Sequence, residues 1–387
     1  DIAPDVRGSG LMRVGLGVTV LNAGLVSGQL DGIGTYTRHL LGHLSVAPDC
    51  SLQTYAFAKG AFDPRVAGVQ LLHGRYAVNA ALTAISGVPF PGSASIKGCL
   101  DLFHAPDHFI PKLRGIPVVA TLMDPIPLMR PEWASAGLRR VKNWLFQRMA
   151  RTADHYVAIS EFVVDDLVRY FRISPERITV IPLAVDTLYF NPVDEDEKRR
   201  VLGKYNLKPG YFLFIGTLQP RKNLGRVIEA FLRLPEEIRH DHPLVIAGRA
   251  GWGVDDLLPK LAELDSAGVG RWLKYVPEED KRALLQSAGT LVFPSLYEGF
   301  GLPVLEAFAS RLPVITSNTT SFPEVAGDAA ILVNPESVDE ITDAMLYVVS
   351  NGTIRDRLIE KGLIKAQQMT WRQTAEKTLA AYRKVIG

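Results

Sequence analysis

Short apolar runs recur along this chain, separated by longer stretches in which apolar residues return every three or four positions. The runs at 13–20, 117–123, 155–160, 177–182, 211–217, 244–248, 290–294 and 311–316 are rich in Val, Ile, Leu and Phe. They are too short for ordinary helices and read as strands buried on both faces. Two-sided burial calls for a parallel sheet with helices packed on each side. The stretches between supply those helices, with helical spacing at 35–44, 138–154, 303–308 and 370–382 and a Ser-capped start at Ser160. Residues 100–104 read as a strand end, 272–277 as a further strand, and 51–120 alternates short apolar runs with polar stretches as βαβ units do. The pattern predicts an α/β protein. At 387 residues, two domains are expected. The charged, loop-like segment 191–200 marks the boundary, giving domains 12–192 and 193–371.

One stretch carries chemistry. The strand at 290–294 runs into a loop, Glu298-Gly299-Phe300-Gly301, and then a helix with Pro303 in its first turn. A helix N-terminus behind a flexible glycine loop presents free N–H groups and the positive end of a dipole to an anion. Glu298 and Glu306 flank that position. A carboxylate repels phosphate but accepts hydrogen bonds from hydroxyls, such as those of a sugar or a ribose. Read singly, Glu298 also fits a solvated loop residue and Glu306 a first-turn acid.

Other positions are read from their place at strand ends. A glycine-rich loop after the first strand ends at Asp31, Gly32 and Gly34, before a helix. His104 and His108 lie where open α/β sheets place ligands and are candidates for an acceptor site, each also explicable as a structural loop histidine. Their spacing suggests a metal, but no Cys or carboxylate cluster at ligand spacing accompanies them, so no metal is expected. Asp124 follows a strand and fits either a ligand contact or a helix cap. Arg221 and Lys222 form a cation pair at a strand top, suited to a diphosphate or to an exposed turn. Arg249 and Val276 occupy later strand ends, where they are candidates to meet a ligand, though Arg249 and the neighbouring Tyr275 also fit capping or packing roles. Ser321 and Glu324 have capping-box spacing.

The pair Glu298 and Glu306, within Tyr297-Glu298-Gly299-Phe300-Gly301-Leu302-Pro303 and Leu305-Glu306-Ala307, resembles the E-x7-E signature of retaining GT-B glycosyltransferases. More narrowly it resembles the family 4-like group that includes many bacterial mannosyltransferases. The resemblance implies two Rossmann-like domains with parallel sheets facing a central cleft. It implies an acceptor-side first domain, onto which a helix at 372–387 packs back, and a nucleotide-sugar-binding second domain. Glu298 is then the residue that contacts the donor sugar and Glu306 the one that holds the ribose. Gly299, Phe300, Gly301 and Leu302 line the donor. Arg221 and Lys222, in Gly216-Thr217-Leu218-Gln219-Pro220-Arg221-Lys222-Asn223, become the diphosphate clamp, and Gly32 and Gly34 pack against the same diphosphate. Two departures stand out. Asp31 replaces one glycine of the family's loop, and Met123 stands before Asp124 where the family often has His.

The reaction so implied moves a hexose, mannose from GDP-mannose, to a glycan or lipid-linked saccharide acceptor in surface polysaccharide synthesis, with retention and without metal or other cofactor. The alternatives stay open: a UDP-sugar donor, an epimerase or phosphorylase on the same architecture, or a non-catalytic nucleotide-sugar-binding protein, to which Met123 points. A dinucleotide-dependent dehydrogenase is disfavoured, because the first strand is not followed by Gly-x-Gly-x-x-Gly and a distal acid.

Composition narrows the setting. A net charge of +2 gives no case for nucleic acid. Two cysteines, Cys50 and Cys99, suit a reducing cytoplasm rather than a disulfide framework. No apolar run reaches the roughly 20 residues that span a bilayer, and no signal peptide opens the chain, whose fold is expected to start at Met12. The helix at 138–154 carries Arg139, Arg140, Lys142, Arg148 and Arg151 interleaved with Trp144, Leu145, Phe146 and Met149. Such a helix either packs its aromatics on the sheet or lies against an anionic membrane surface.

Overall fold

A computed structural model describes residues 11–57, 61–66, 68–129 and 139–387. Most of the stretch preceding Met12 falls outside them, as does Leu138. The chain divides into two compact units. One runs to Leu183 and takes in Trp371–Gly387, and the other is Ala184–Thr370.

Among the described residues the first unit has a seven-stranded sheet: β1 (Met12–Gly17), β2 (Cys50–Ala56), β3 (Gln70–Leu71), β4 (Leu102–Ala105), β5 (Val118–Leu122), β6 (His155–Ala158) and β7 (Ile178–Val180). Its order is β3-β2-β1-β4-β5-β6-β7. The second unit has a six-stranded sheet: β8 (Phe212–Ile215), β9 (Leu244–Ala247), β10 (Gly270–Lys274), β11 (Thr290–Phe293), β12 (Val314–Ser317) and β13 (Ile331–Val333), in the order β10-β9-β8-β11-β12-β13. Every pairing in both sheets is parallel. These are doubly wound Rossmann-like sheets, whose order reverses between β1 and β4 and again between β8 and β11. Ligands bind such sheets at the strand C-termini beside the reversal.

Strands β5, β8, β9, β11 and β12 are buried at every position, which is why their sequences are continuously apolar or uncharged. In the second unit Phe212, Phe214, Phe231 and Leu244 join Ile341 and Met345 in one core between sheet and helices.

Three boundaries differ from the sequence reading. The first strand stops at Gly17, because Thr19–Ser27 is a helix that buries Leu21 and Leu25 one turn apart and ends at Gly28, φ 69°. The expected loop is thus mostly helical. Arg311, at φ 59°, closes the preceding helix, so β12 starts only at Val314. The change of unit comes at Leu183 rather than after residue 192. Val185 N–H donates to Met369 O (3.3 Å), Tyr189 to Glu278 (2.6 Å), and Val193 N–H to Gln286 (2.8 Å), all within the second unit. The last helix, Trp371–Ile386, belongs to the first unit, where the Thr374 hydroxyl donates to Pro182 O (2.9 Å).

Candidate active site

The turn after β8 and the loop after β11 meet at the reversal of the second sheet. Gly248, just past β9, lets that strand end pass close against the β8 turn, since a Cβ there would stand 1.9 Å from Gly216 O. Pro220–Lys222 forms a single 3-10 turn closed by Asn223 at φ 64°. The Asn223 side-chain amide donates to Pro294 O (2.9 Å) and Pro335 O (2.7 Å), and Leu296 N–H donates to Arg221 O (2.8 Å). These bonds fix Arg221 and Lys222 against the loop that carries Glu298.

Glu298 is buried and receives both cations on one oxygen. Arg221 Nη1 lies 2.9 Å from Oε1, and Lys222 Nζ bonds the same atom. Lys222 Nζ also stands 4.7 Å from the centroid of the Phe293 ring. Burial pushes the Glu298 pKa up, but the charges of Arg221 and Lys222 outweigh it and hold the group below the usual carboxylate range. Glu298 is therefore ionised at neutral pH. Two cations against one anion leave the cluster with net positive charge, suited to a further anion.

The loop itself is pinned. Ser321 Oγ lies 3.0 Å from both Glu298 O and Phe300 O. The capping-box reading of Ser321 is corrected here, since the serine precedes helix Phe322–Val325 but its hydroxyl holds the glycine loop instead. Gly301 sits at φ 103°, and a Cβ there would come within 2.7 Å of the Phe322 ring, so glycine is required on both counts. Helix Leu302–Ala309 starts at once, with Pro303 in its first turn, and its N-terminus faces the loop.

Glu306 lies about one turn into that helix and is buried. Lys281 Nζ lies 2.8 Å from each of its oxygens. Burial pushes the Glu306 pKa up, Lys281 opposes, and the nearby Glu278 adds to the rise. Lys281, Glu278 and Tyr189 had no signal in the sequence, because Glu278-Glu279-Asp280-Lys281-Arg282 reads as an ordinary solvated helix start. Arg249 is exposed just beyond β9, and its carbonyl accepts from Leu218 N–H (2.9 Å). Val276 is half-buried between β10 and helix Glu278–Ser287. The second unit thus brings Arg221, Lys222 and Glu298 into direct contact, with Gly299–Leu302 and Glu306 following in one loop and helix. It places Arg249 and Val276 further along the same sheet edge.

The other named residues belong to the first unit. Gly32 and Gly34 open helix Gly32–Leu44, and Asp31 caps it by accepting from Gly34 N–H (2.7 Å). That amide is already engaged, and the cap puts a carboxylate at the helix end. A Cβ on Gly34 would stand 2.8 Å from Leu30 Cδ2. His104 is fully buried, 2.6 Å from the Tyr382 hydroxyl and 2.8 Å from Thr121 Oγ1. Burial pushes its pKa down to about 3. It is a neutral core histidine, not a residue open to an acceptor.

His108 is exposed and lines a cavity of about 480 Å³ with Asp107, Met123, Asp124, Lys142 and Phe146. Asp124 Oδ1 accepts from Ile126 N–H (3.1 Å), as the capping alternative requires. Asp107, absent from the sequence reading, is buried there and accepts from Phe109 N–H (2.8 Å) and Val20 N–H (3.3 Å). Burial pushes its pKa up. Among the described residues no group of three or more His, Cys, Asp or Glu side chains is placed to hold a metal ion.

Two family profiles match the chain: Glycosyltransferase Family 4 over residues 31–188 and Glycosyl transferases group 1 over residues 194–364. The O-antigen chain mannosyltransferase B of Escherichia coli is 36% identical over 284 residues, covering 73% of this chain and 74% of that protein. The MMP alpha-(1->4)-mannosyltransferase of Mycolicibacterium hassiacum is 31% identical over 286 residues, 70% of this chain and 66% of that protein. Among solved structures, HepE of Anabaena in complex with UDP superposes with a TM-score of 0.70 at 17% identity, over 96% of this chain and 100% of that one.

Proposed function

This chain belongs to the glycosyltransferases of the group 1 and family 4 type, with a GT-B fold, and from that premise we propose that it transfers mannose from GDP-mannose to a glycan or lipid-linked saccharide, with retention of configuration. The observation that carries the reading is the contact of Arg221 and Lys222 with Glu298 beside the N-terminus of helix Leu302–Ala309. The donor diphosphate sits against the two cations and the helix end. An acceptor hydroxyl oxygen bonds to the anomeric carbon as the carbon–oxygen bond to the diphosphate breaks. The bonding pair leaves with the diphosphate, and the hydroxyl proton passes to a phosphate oxygen. Arg221 and Lys222 stabilise the charge that builds on the leaving group. Glu298, ionised, accepts from sugar hydroxyls, and Glu306 accepts from the ribose. A glycosidase-like double displacement needs a nucleophilic carboxylate. Both carboxylates here are tied to cations, which favours attack on the face from which the nucleotide departs.

The mannose donor draws support from the names of the two bacterial relatives. A UDP-sugar donor is the second reading, favoured by the UDP in the HepE complex.

The acceptor reading extends to contact with an anionic membrane. Among the described residues no helix is long and apolar enough to cross one. Helix Tyr76–Ser86 has no charged residue, and Val78, Leu82 and Ile85 stand 54%, 56% and 78% exposed along one face. Such an uncovered stripe marks an interaction surface. Helix Arg139–Ala150 packs beside it through Leu145 and Met149, with Trp144, Arg140, Lys142 and Arg148 exposed. Residues 71–150 hold nine Lys and Arg against four Asp and Glu, in a chain of net charge +2, so positive charge concentrates where the apolar stripe lies.

The test is a thermal-shift screen with GDP, UDP, ADP and their sugar conjugates, followed by turnover and NMR of the product anomer. A ligand that binds only the folded state raises its Tm. Stabilisation by GDP and GDP-mannose with an α product is expected. Selective stabilisation by UDP compounds would replace the donor, and an inverted anomer would end the retaining mechanism.

A further inference from the structure

Lys281 is an unusual lysine. It lies near the start of helix Glu278–Ser287, where a cation opposes the helix dipole. Its side chain is only 18% exposed. The position is tolerable because two carboxylates face it: both Glu306 oxygens at 2.8 Å and Glu278 Oε1 at 3.7 Å. Its Nζ also stands 5.5 Å from the centroid of the Tyr189 ring, whose hydroxyl donates to Glu278 Oε1 at 2.6 Å. Tyr189 is buried and comes from the segment that opens the second unit. Lysine, tyrosine and glutamate thus enclose Glu306 on one side.

Neighbouring hydroxyls on a ribose are best met by two carboxylate oxygens held in one plane, each accepting one hydrogen bond. A lone buried carboxylate can rotate about its last bond. A lysine that donates to Oε1 and stands equally close to Oε2 restrains that rotation, and Oε2, buried without a hydrogen-bond partner among the described residues, is left open to a ligand hydroxyl.

We propose that Lys281, buttressed by Tyr189 and Glu278, is the positioning residue that holds the Glu306 carboxylate in the plane of a nucleotide's ribose diol. The inference rests on the reading of Glu306 as the ribose partner and adds the group that makes it selective. Lys281 acts through Glu306 and touches no phosphate. Its loss should therefore erase discrimination between ribose and dideoxyribose and leave the diphosphate clamp of Arg221, Lys222 and Glu298 intact.

The experiment is calorimetric titration of wild type, Lys281→Met, Lys281→Arg, Tyr189→Phe and Glu306→Gln with GDP and 2′,3′-dideoxy-GDP, with the UDP pair in parallel. Wild type should prefer the ribonucleotide about tenfold, roughly one charge-assisted hydrogen bond. Lys281→Met should bind the ribonucleotide about tenfold more weakly and the dideoxy form nearly unchanged. Lys281→Arg should recover most of the preference, and Tyr189→Phe should lose about threefold, which keeps the proposal testable if Lys281→Met fails to fold. Equal weakening of both nucleotide forms, or an undiminished preference in Lys281→Met and Tyr189→Phe, overturns it. Glu306→Gln separates the two layers. If that variant keeps the preference, the ribose reading falls, and the role of Lys281 with it. If it loses the preference while Lys281→Met retains it, only Lys281 is misassigned. A wild type without preference sinks both.

Discussion

Lys222→Met is the perturbation that bears most directly on the proposed chemistry. Methionine keeps the length and apolar stem of lysine and removes only the charge. Glu298 then keeps Arg221 at 2.9 Å, so the carboxylate is not stranded. Complete loss of partners from a buried ion costs about 3–5 kcal/mol, whereas loss of one of two charge-assisted bonds costs about 1–2 kcal/mol. The lost contact over the Phe293 ring, 4.7 Å from Nζ, adds about 0.5 kcal/mol. The variant should therefore fold, with a modestly lowered Tm. Catalysis should suffer more. A preorganised donor aimed at developing charge is worth about 10²–10³-fold in kcat. With Lys222 gone, the leaving diphosphate faces one cation rather than two, beside the same anion. The assay is release of nucleotide from GDP-mannose in the presence of acceptor, with near-UV circular dichroism to confirm the fold. A fall in kcat of about two orders of magnitude with a smaller change in KM is expected. A folded variant within about threefold of the wild-type kcat would refute the assignment of Lys222 to the leaving group. A loss confined to KM would reassign it to ground-state binding.

Two further outcomes are expected. His104 is neutral in the fold, its pKa pushed from the usual 6.5 to about 3 by burial. The unfolded chain takes up a proton there first, so the contribution of His104 to stability is complete above pH 6.5 and is lost as pH falls toward 3. Between pH 6.5 and 5 the loss should be about 2 kcal/mol, and denaturant titration of wild type against His104→Asn should show the slope fall by that amount in the variant, the remainder belonging to groups such as His155, whose pKa burial also lowers. Membrane contact can be read by co-sedimentation with phosphatidylglycerol vesicles. The double variant Leu82→Glu and Ile85→Glu should stay in the supernatant while wild type pellets, and equal pelleting of the two would remove the stripe on helix Tyr76–Ser86 from the reading.

Several elements were legible because their chemistry is local. β8, β9 and β11 are buried on both faces, which demands four consecutive residues without charge, and such runs stand out. The Ser160 cap was equally plain, since its hydroxyl meets Val163 N–H (3.3 Å) within one turn. The helix Thr19–Ser27 was hidden for the converse reason. Its apolar residues continue those of β1, and only packing decides where extended chain becomes helix.

The candidate site divides along the same line. By itself the sequence determined the fold class and the glycine loop with Pro303 behind it, because backbone freedom, helix starts and two-sided burial are written in neighbouring residues, while Glu298, Glu306, Arg221 and Lys222 were singled out by the resemblance of their motifs to a known family. Only the tertiary structure decided what those groups do to one another. Lys222 and Glu298 are far apart in sequence and meet because the order of the second sheet reverses between β8 and β11. Lys281, Tyr189, Ser321 and Asp107 gained their places the same way, and His104 lost its candidacy, since a histidine's burial depends on elements as distant as Tyr382. Charge and hydrogen-bonding capacity belong to residues, but their pKa values and partners belong to the space that the folded sheets enclose.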